Sequence, residues 1–382
     1  MTTIHWIGTG LSAVPGIRRL IKNGHDVVVW NRSHDKAQAA VGDLTQQIRA
    51  FTLENITNSL DKGDILVSML PGEWHVPLAE LCLSKGAHFV SSSYIAPEMQ
   101  ALDAKAKAAD LVLINEVGLD PGIDHAMAHW LVADYRASAG FDVGNDLSFI
   151  SYCGGIPKTP NPFKYKFSWS PLGVLKALRS PSKSIDNFKE LNVTRPWDAI
   201  SSYEAPLATP ETFEVYPNRD SLPFMADYRF DPDWKVKKFV RGTLRLNGWA
   251  EAWGDVFSEV ETLEGAAGEA RLQEMSDQFW RDNAYGENDF DRVVMFVALK
   301  AEKNGKTVYH KTYTMDAWGD DTATAMARLV SIPVSLAVEA VLQGDIAAGV
   351  SAVPNAPHLV ARWMEMVGSI AQELHIRDHM AE

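Results

Sequence analysis

Short apolar runs alternate with helical patterns through the first third of the chain. Five apolar runs predict β-strands at residues 4–7, 26–30, 64–70, 88–91 and 111–114. Helical patterns lie between them, and the first one ends at Asn23, just before Gly24. Continuously apolar strands separated by helices are typical of a parallel sheet that is covered on both faces.

The pattern changes after about residue 145, where strand-like segments alternate apolar and polar positions. Residues 240–246 and 293–301 predict antiparallel strands, and residues 261–283 predict a helix. Two further helices are predicted at 322–342 and 357–374. We therefore predict an α/β protein with a second α/β domain at residues 121–344, which carries a mixed or antiparallel sheet. We expect residues 345–382 to return to the first domain.

The end of the first predicted strand carries a glycine-rich loop that opens a helix, consisting of Gly8, Thr9, Gly10, Leu11, Ser12 and Ala13. Gly8 permits a tight turn, Gly10 lets the backbone approach a pyrophosphate, and Ala13 is small enough for close packing of helix on strand. Phosphates would lie at the helix N-terminus, where backbone N–H groups are available. The loop predicts a Rossmann-type dinucleotide-binding domain at residues 1–120.

The end of the second predicted strand discriminates between the two nicotinamide dinucleotides. NAD-binding domains carry an acidic residue here for the ribose 2′-hydroxyl, whereas this chain has Asn31, Arg32 and Ser33. Arg32 is placed to bind a 2′-phosphate, and Ser33 adds a hydroxyl donor. We predict that the cofactor is NADP, with NAD as the alternative. The alternative interpretation of Arg32 is a solvated arginine in a surface loop with no role in binding. Leu70, Pro71 and Ser91 end later strands and are predicted to face the same cofactor.

Composition narrows the class of protein. The net charge of −13 and the lack of a basic run argue against nucleic-acid and membrane binding. No apolar run approaches the roughly 18 residues of a membrane span. The two cysteines, Cys82 and Cys153, leave no zinc spacing and no disulfide framework, so we expect no metal and a reducing, cytoplasmic setting. The early position of Gly8 is also expected to leave no room for a signal peptide.

Polar and small residues close the last predicted parallel strand, in the segment NEVGLDPGIDH at residues 115–125. Asp120, Pro121 and Gly122 alone are typical of a turn. Asp124 and His125 alone are typical of a helix cap and a structural histidine. The mouth of a parallel sheet nevertheless suits a substrate site.

Five motifs in a fixed order resemble the saccharopine dehydrogenase family, specifically its L-glutamate-forming branch. They are NEVGLDPGIDH at 115–125, SYCGG at 151–155, YKFSWS at 165–170, YPNRDS at 216–221 and RGTLR at 241–245. The resemblance covers the whole chain and is weakest from about 260 to 290. The chain departs from the family pattern at 11–12, 71–75 and 157–160, on predicted cofactor and substrate loops.

The resemblance implies that saccharopine, a secondary amine, is oxidised with NADP to L-glutamate and 2-aminoadipate 6-semialdehyde in lysine metabolism. It implies Asp120, Tyr94 and Cys153 as the polar groups at the reacting centre. It also implies a set of substrate contacts, namely Ser93, Tyr94, Ser170, Arg219, Gly242 and Thr243. Saccharopine carries three carboxylates, and arginine suits them because its guanidinium binds a carboxylate through two parallel hydrogen bonds. A homodimer is expected by analogy with this class.

Two other functions remain open from the sequence. A related dehydrogenase of carboxylated amines, such as carboxynorspermidine dehydrogenase, would need fewer cationic anchors than Arg219, Arg241 and Arg245 offer. The spacing of Arg241 and Arg245 predicts that they share one face of a strand, where each is either a carboxylate anchor or part of a structural ion pair. A non-enzymatic dinucleotide-binding regulator would retain residues 8–13 and 32–33 but would not need the motifs from 115 to 170.

Overall fold

A computed structural model describes residues 2–381. The strands are β1 Ile4–Ile7, β2 Val27–Asn31, β3 Ile48–Ala50, β4 Ile65–Ser68, β5 His88–Ser91, β6 Val112–Ile114, β7 Asp146–Pro157, β8 Ser182–Asp186, β9 Lys189–Val193, β10 Ser201–Ala205, β11 Glu211–Pro217, β12 Lys235–Leu246, β13 Asp291–Lys303, β14 Lys306–Trp318, β15 Gly349–Ser351 and β16 Glu373–Asp378. The helices are α1 Val14–Lys22, α2 His34–Val41, α3 Leu53–Ser59, α4 His75–Lys85, α5 Pro97–Gln100, α6 Asp103–Ala108, α7 Ile123–Ala137, α8 Pro171–Leu178, α9 Pro223–Asp227, α10 Trp249–Ala252, α11 Gly254–Thr262, α12 Gly265–Asn283, α13 Ala325–Leu342 and α14 Pro357–Ile370.

The chain divides into two compact units. The first unit is Met1–Ala126 with Ala327–Ile370, and the second is Met127–Met326 with Ala371–Glu382. Both boundaries differ from the predicted ones. Helix α13 lies in the first unit because it packs on α1, and the last residues lie in the second unit because β16 pairs with β14.

The first unit is built on a seven-stranded sheet with the order β15-β6-β5-β4-β1-β2-β3, in which every pair is parallel. The prediction of a parallel sheet flanked by helices is confirmed. Two strands were missed, since β3 is short and largely exposed and β15 joins from the far end of the chain. The carboxyl ends of β1, β2, β4, β5 and β6 lie at one edge of this sheet, where ligands bind in such folds.

A close contact joins α1 to α13 in the first unit. A Cβ atom added at Gly16 would lie 2.1 Å from the backbone oxygen of Ser331, so only glycine fits. The Gly16 N–H donates a hydrogen bond to Ser331 Oγ at 2.9 Å. One turn further along α1 and about two turns further along α13, Arg19 forms an ion pair with Glu339 at 2.8 Å. This contact ties a helix near the C-terminus to the first helix of the chain.

Helix α13 has the length and the apolar composition of a membrane span, which we did not expect from the sequence. However, 78% of its 18 residues are buried inside the protein. A core helix passes the same test of length and composition, and the burial favours that interpretation.

The second unit carries a nine-stranded mixed sheet. Its main path is β10-β11-β12-β7-β13-β14-β16, and β8 and β9 branch from β12. The pairs along this path are antiparallel except β12 with β7, which is parallel. The predicted mixed or antiparallel sheet is therefore confirmed. One face packs against an aromatic cluster that includes Trp249 and Trp253, both fully buried.

Candidate active site

The glycine-rich loop follows β1 at the carboxyl edge of the first sheet. Gly8 has a φ of +100°, and a Cβ there would lie 3.0 Å from the backbone oxygen of Met69. Gly8 N–H donates to the backbone oxygen of Trp30 at 2.8 Å, which anchors the loop to β2. A Cβ at Gly10 would meet no atom within 4 Å, so this position faces open space.

The loop has the features that a dinucleotide phosphate requires. The hydroxyl of Thr9 is buried and has no hydrogen-bond partner in the described chain. Helix α1 begins after Ala13 with no side-chain cap. Pro15 has no N–H and the Gly16 N–H donates to Ser331 Oγ, so within the first turn the Val14 N–H is the group left for an anion in the described chain. Leu11 is exposed and Ser12 is half-buried, which leaves the loop backbone accessible. The residues present therefore fit a bound pyrophosphate.

The end of β2 presents a cation next to this loop. Arg32 is exposed and has no hydrogen bond or ion pair with the described residues. Asn31 Oδ1 accepts from the Thr9 N–H at 3.4 Å, and Asn31 Nδ2 donates to the backbone oxygen of Ser33 at 2.8 Å. Ser33 caps α2 by accepting from the Lys36 N–H at 3.4 Å, and its own hydroxyl proton remains able to donate.

The ends of β4 and β5 lie at the same edge. Leu70 is half-buried and Pro71 is exposed directly after β4. Ser91 is completely buried, donates to Asn115 Oδ1 at 3.0 Å and accepts from the Ser93 N–H at 3.2 Å. Its hydroxyl is thus occupied by its neighbours and shapes the turn that follows β5.

The first unit also brings two predicted catalytic residues together. Tyr94, on the turn after β5, donates its hydroxyl proton to Asp120 Oδ1 at 3.3 Å. Asp120 follows β6, and both side chains are half-buried. A phenol next to a carboxylate can relay a proton to or from a bound amine.

A buried network that we did not predict holds this turn. Glu116, at a φ of 54°, accepts from the Ile95 N–H at 2.8 Å, and its own N–H donates to the backbone oxygen of Ser93. His125 contacts the other Glu116 oxygen at 2.9 Å and lies 3.5 Å from Asp124. The structural role expected for His125 and Asp124 agrees with these contacts. The sequence gives no sign of this network. Its distinguishing feature, the left-handed backbone conformation of Glu116, is visible only in the structure.

In the second unit, strand register places further candidates on one face of the sheet. Thr243 on β12 pairs directly with Cys153 on β7 and with Tyr216 on β11. Directly paired residues share a face, so these side chains form a row. Burial raises the pKa of Tyr216, while the positive charge of Arg245 and a hydrogen bond from Thr243 act in the opposite direction.

Arg219 lies in the turn that follows β11, close to this row along the chain. It is exposed and has a φ of 56°, which is uncommon for a residue with a side chain. The N–H of the preceding Asn218 donates to the backbone oxygen of Arg241, and Pro217 pairs with Gly242. A Cβ at Gly242 would lie 2.7 Å from the backbone oxygen of Tyr216, so the turn and β12 are in tight contact.

Two further arginines of the second unit lie on β12. Arg241 and Arg245 share the face of Thr243, as their spacing predicted, and both are buried. The Arg245 guanidinium lies against three aromatic rings, 4.9 Å from Tyr165, 5.7 Å from Tyr216 and 5.4 Å from Trp249. Arg245 has no carboxylate partner in the described residues, so of the two roles considered for the pair it is not a structural ion pair.

Two other positions have local partners. Lys166 forms an ion pair with Asp289, which leaves it less available to a substrate carboxylate. Ser170 is exposed and caps α8 by accepting from the Gly173 N–H at 3.2 Å.

Cys153 is buried, and neither cysteine is in a disulfide. No group of three or more metal-ligating side chains occurs within residues 2–381.

The same two segments of chain match models of known protein domains. Residues 4–114 match the saccharopine dehydrogenase NADP binding domain, and residues 118–370 match the saccharopine dehydrogenase C-terminal domain. The prediction of NADP rather than NAD is confirmed by the first match.

Curated relatives carry the same name. The chain is 32% identical over 252 residues to "Saccharopine dehydrogenase [NADP(+), L-glutamate-forming]" of Pyricularia oryzae, which covers 64% of this chain and 54% of the relative. It is 34% identical over 255 residues to the Saccharomyces cerevisiae protein of that name, covering 64% and 55%. The matched segment thus spans about half the length of these relatives.

A solved structure agrees over a longer stretch. The apo saccharopine dehydrogenase (L-Glu forming) from Saccharomyces cerevisiae superposes with a TM-score of 0.81 and 25% identity, covering 99% of this chain and 100% of that one. The fold class predicted from the sequence and the domain matches agree with this likeness. The chain belongs to the saccharopine dehydrogenase family.

Proposed function

We propose that this protein is an NADP-dependent dehydrogenase of lysine metabolism that oxidises saccharopine to L-glutamate and 2-aminoadipate 6-semialdehyde. The observation that carries the proposal is the hydrogen-bonded pair of Tyr94 and Asp120 at the same sheet edge as the glycine-rich loop. A proton-transfer pair beside a dinucleotide loop is what oxidation of an amine requires. The names of the fungal relatives support saccharopine as the substrate.

NADP, when bound, accepts the hydride from the aminoadipyl carbon that carries the secondary amine nitrogen. The loop at Gly8 and Gly10, the N-terminus of α1 and Arg32 would hold it. Asp120 accepts the proton that the ammonium form of the substrate must lose first, and Tyr94 orients that carboxylate through its hydroxyl. Water then adds to the carbon–nitrogen double bond of the substrate, and breaking of the carbon–nitrogen bond releases L-glutamate with its amino group.

Candidate groups for the substrate carboxylates lie within the second unit. Arg219 is the main anchor, since a guanidinium binds a carboxylate through two parallel hydrogen bonds. Thr243 adds a hydroxyl and Gly242 a close backbone approach on the same strand. We assign Ser170 and, in the first unit, Ser93 as further hydroxyl donors. Cys153, paired with Thr243, contributes a small polar group to the same row.

Purified protein mixed with saccharopine and either NADP or NAD tests this proposal. We expect an increase in absorbance from reduced nicotinamide, with NADP preferred. Carboxynorspermidine serves as the competing substrate in a parallel reaction. Absence of turnover of saccharopine with both cofactors, under conditions in which NADPH binds, would rule out the proposed activity.

Replacing Arg32 with alanine should weaken the binding of NADP far more than the binding of NAD. The variant loses one charge-assisted contact with the 2′-phosphate, a contact typically worth about 1.5–3 kcal/mol, or roughly ten- to a hundredfold in affinity. Dissociation constants of both reduced cofactors, measured by fluorescence titration, give the ratio. Lys105→Ala, an exposed cation on α6, is the matched control and should change neither constant. An equal loss for both cofactors would show that Arg32 does not read the phosphate.

Replacing Tyr94 with phenylalanine should lower kcat only modestly. The variant loses the hydroxyl that donates to Asp120 but keeps the ring, and bulk water can share the proton transfer. We expect a decrease of about tenfold or less, below the roughly 10²-fold of an indispensable acid or base. Asp120→Asn should change the pH profile of kcat/KM as well as its maximum. An unchanged kcat and pH profile in both variants would remove the pair from the proton-transfer path.

We propose a homodimer as the working assembly. Strand β16 supports this, because it is an edge strand of the nine-stranded sheet in the described chain, and such an edge can pair with another strand. Light scattering on the purified protein should give twice the chain mass of 42.2 kDa. A monomer mass at assay concentration would contradict the proposal.

We also propose a cytoplasmic location and no nucleic-acid or membrane partner. The net charge of −13 and two cysteines outside any disulfide support this. A fluorescent fusion observed in its native host would show a diffuse cytoplasmic signal, and an organellar or membrane pattern would refute it.

A further inference from the structure

His75 connects two hydroxyl groups inside the first unit. It is the first residue of α4 and is 5% exposed. Its Nδ1 lies 3.0 Å from Ser68 Oγ at the end of β4, and its Nε2 lies 2.8 Å from Ser93 Oγ on the turn after β5. The imidazole thus bridges two neighbouring strand ends at the edge that carries the proposed site.

The surroundings of Ser68 decide which imidazole nitrogen carries the proton. Ser68 is 1% exposed, and His75 is the one side-chain partner of its hydroxyl within the described chain. If Nδ1 carried the proton, Ser68 would accept it and its own hydroxyl proton would be buried without an acceptor. That arrangement is costly, so Ser68 donates to Nδ1 and the proton lies on Nε2.

This direction continues to Ser93. The Nε2–H of His75 donates to Ser93 Oγ, so the hydroxyl proton of Ser93 points away from the imidazole. The Ser93 backbone is fixed on both sides, because its N–H donates to Ser91 Oγ and its backbone oxygen accepts from the Glu116 N–H. Ser93 is half-buried, so its hydroxyl proton is available to a ligand.

The imidazole stays neutral near neutral pH. Burial lowers the pKa of His75 to about 4, and the nearby Glu73 carboxylate opposes the shift without overcoming it. The positive end of the α4 dipole also disfavours a charged imidazole at this position. A second proton on Nδ1 would force Ser68 to accept and would leave its buried hydroxyl unpaired.

We propose that His75 is a positioning residue that makes Ser93 a hydrogen-bond donor for a carboxylate oxygen of the substrate. His75 does not touch the substrate and acts through Ser93. The inference rests on the proposed function, in which Ser93 binds saccharopine, and it gives the direction of that hydrogen bond.

Steady-state kinetics of five variants test the role. His75→Asn and Ser93→Ala should each raise the KM for saccharopine by about ten- to a hundredfold, with a smaller change in kcat and no change in NADPH affinity. The double variant should be no worse than Ser93→Ala alone, because His75 acts only through the Ser93 hydroxyl. His75→Gln restores a donor near Nε2 and should recover part of the KM. Ser92→Ala, a neighbouring hydroxyl that contacts Met69, is the control and should leave KM unchanged.

Nitrogen NMR of histidine-labelled protein tests the tautomer without any substrate. His75, identified by its loss in His75→Asn, should be neutral with its proton on Nε2 from pH 6 to 8. A proton on Nδ1, a charged ring, or additive effects in the double variant would overturn the inference. If the wild type fails to turn over saccharopine, the proposed function falls, and the tautomer still decides whether Ser93 is set as a donor.

Discussion

Arg219→Ala should raise the KM for saccharopine strongly while the protein stays folded. A bound substrate carboxylate would cover the Arg219 guanidinium, and removing one partner of a charge pair that is buried in this way typically costs about 2–5 kcal/mol, which corresponds to about 30-fold to a few thousandfold. The position supports a functional role, because Arg219 is exposed yet held at a φ of 56° by a turn tied to β8 and β12. Backbone strain at an exposed arginine is the kind of cost that is retained where a side chain must be aimed.

The matched variants separate charge from shape. Arg219→Lys keeps the charge but loses the planar fork, so it should recover only part of the KM. Arg281→Ala, an exposed arginine on α12 in the same unit, should leave KM unchanged. Thermal unfolding of all three should match the wild type. If the KM of Arg219→Ala stays at the wild-type value, Arg219 is not a carboxylate anchor.

Local pattern was sufficient for much of the fold. The five predicted strands of the first unit all occur, and β1 and β5 have the predicted bounds. Each of them is an apolar run with turn residues on both sides, so its identity does not depend on distant contacts. Strands β3, β15 and β16 were missed because they are short or half-exposed and are defined by the strand they pair with.

The candidate site was less accessible to sequence reasoning. Spacing placed Arg241 and Arg245 on one face, and the register confirms it, since a strand alternates with a period of two. Spacing carries no signal for the partners of His75 or Glu116, which lie on other strands and are reached through side-chain hydrogen bonds. Those contacts depend on where the strand ends meet, and that is a property of the folded sheet.

Two glycines of the first helix region should respond in opposite ways to substitution. Gly16→Val should destabilise the first unit by about 3 kcal/mol, because the added atoms meet the Ser331 backbone and α13 cannot move away without losing its ion pair to α1. Gly10→Ala should leave the unfolding free energy within about 0.5 kcal/mol of the wild type, because its Cβ meets no atom within 4 Å.

For NADPH binding we expect the opposite order, with the larger effect in Gly10→Ala. Gly10→Ala should weaken NADPH binding at least about tenfold, because its Cβ projects into the space where the loop backbone approaches the pyrophosphate. Gly16→Val should bind NADPH nearly normally at temperatures where it remains folded. Calorimetry and cofactor titration on both proteins measure the two effects. A lower unfolding free energy in Gly10→Ala would contradict the role of Gly10 in cofactor binding alone. Loss of NADPH affinity without loss of stability in Gly16→Val would contradict the role of Gly16 in packing. The expected result separates the glycine that serves the ligand from the one that serves the packing of α1 on α13.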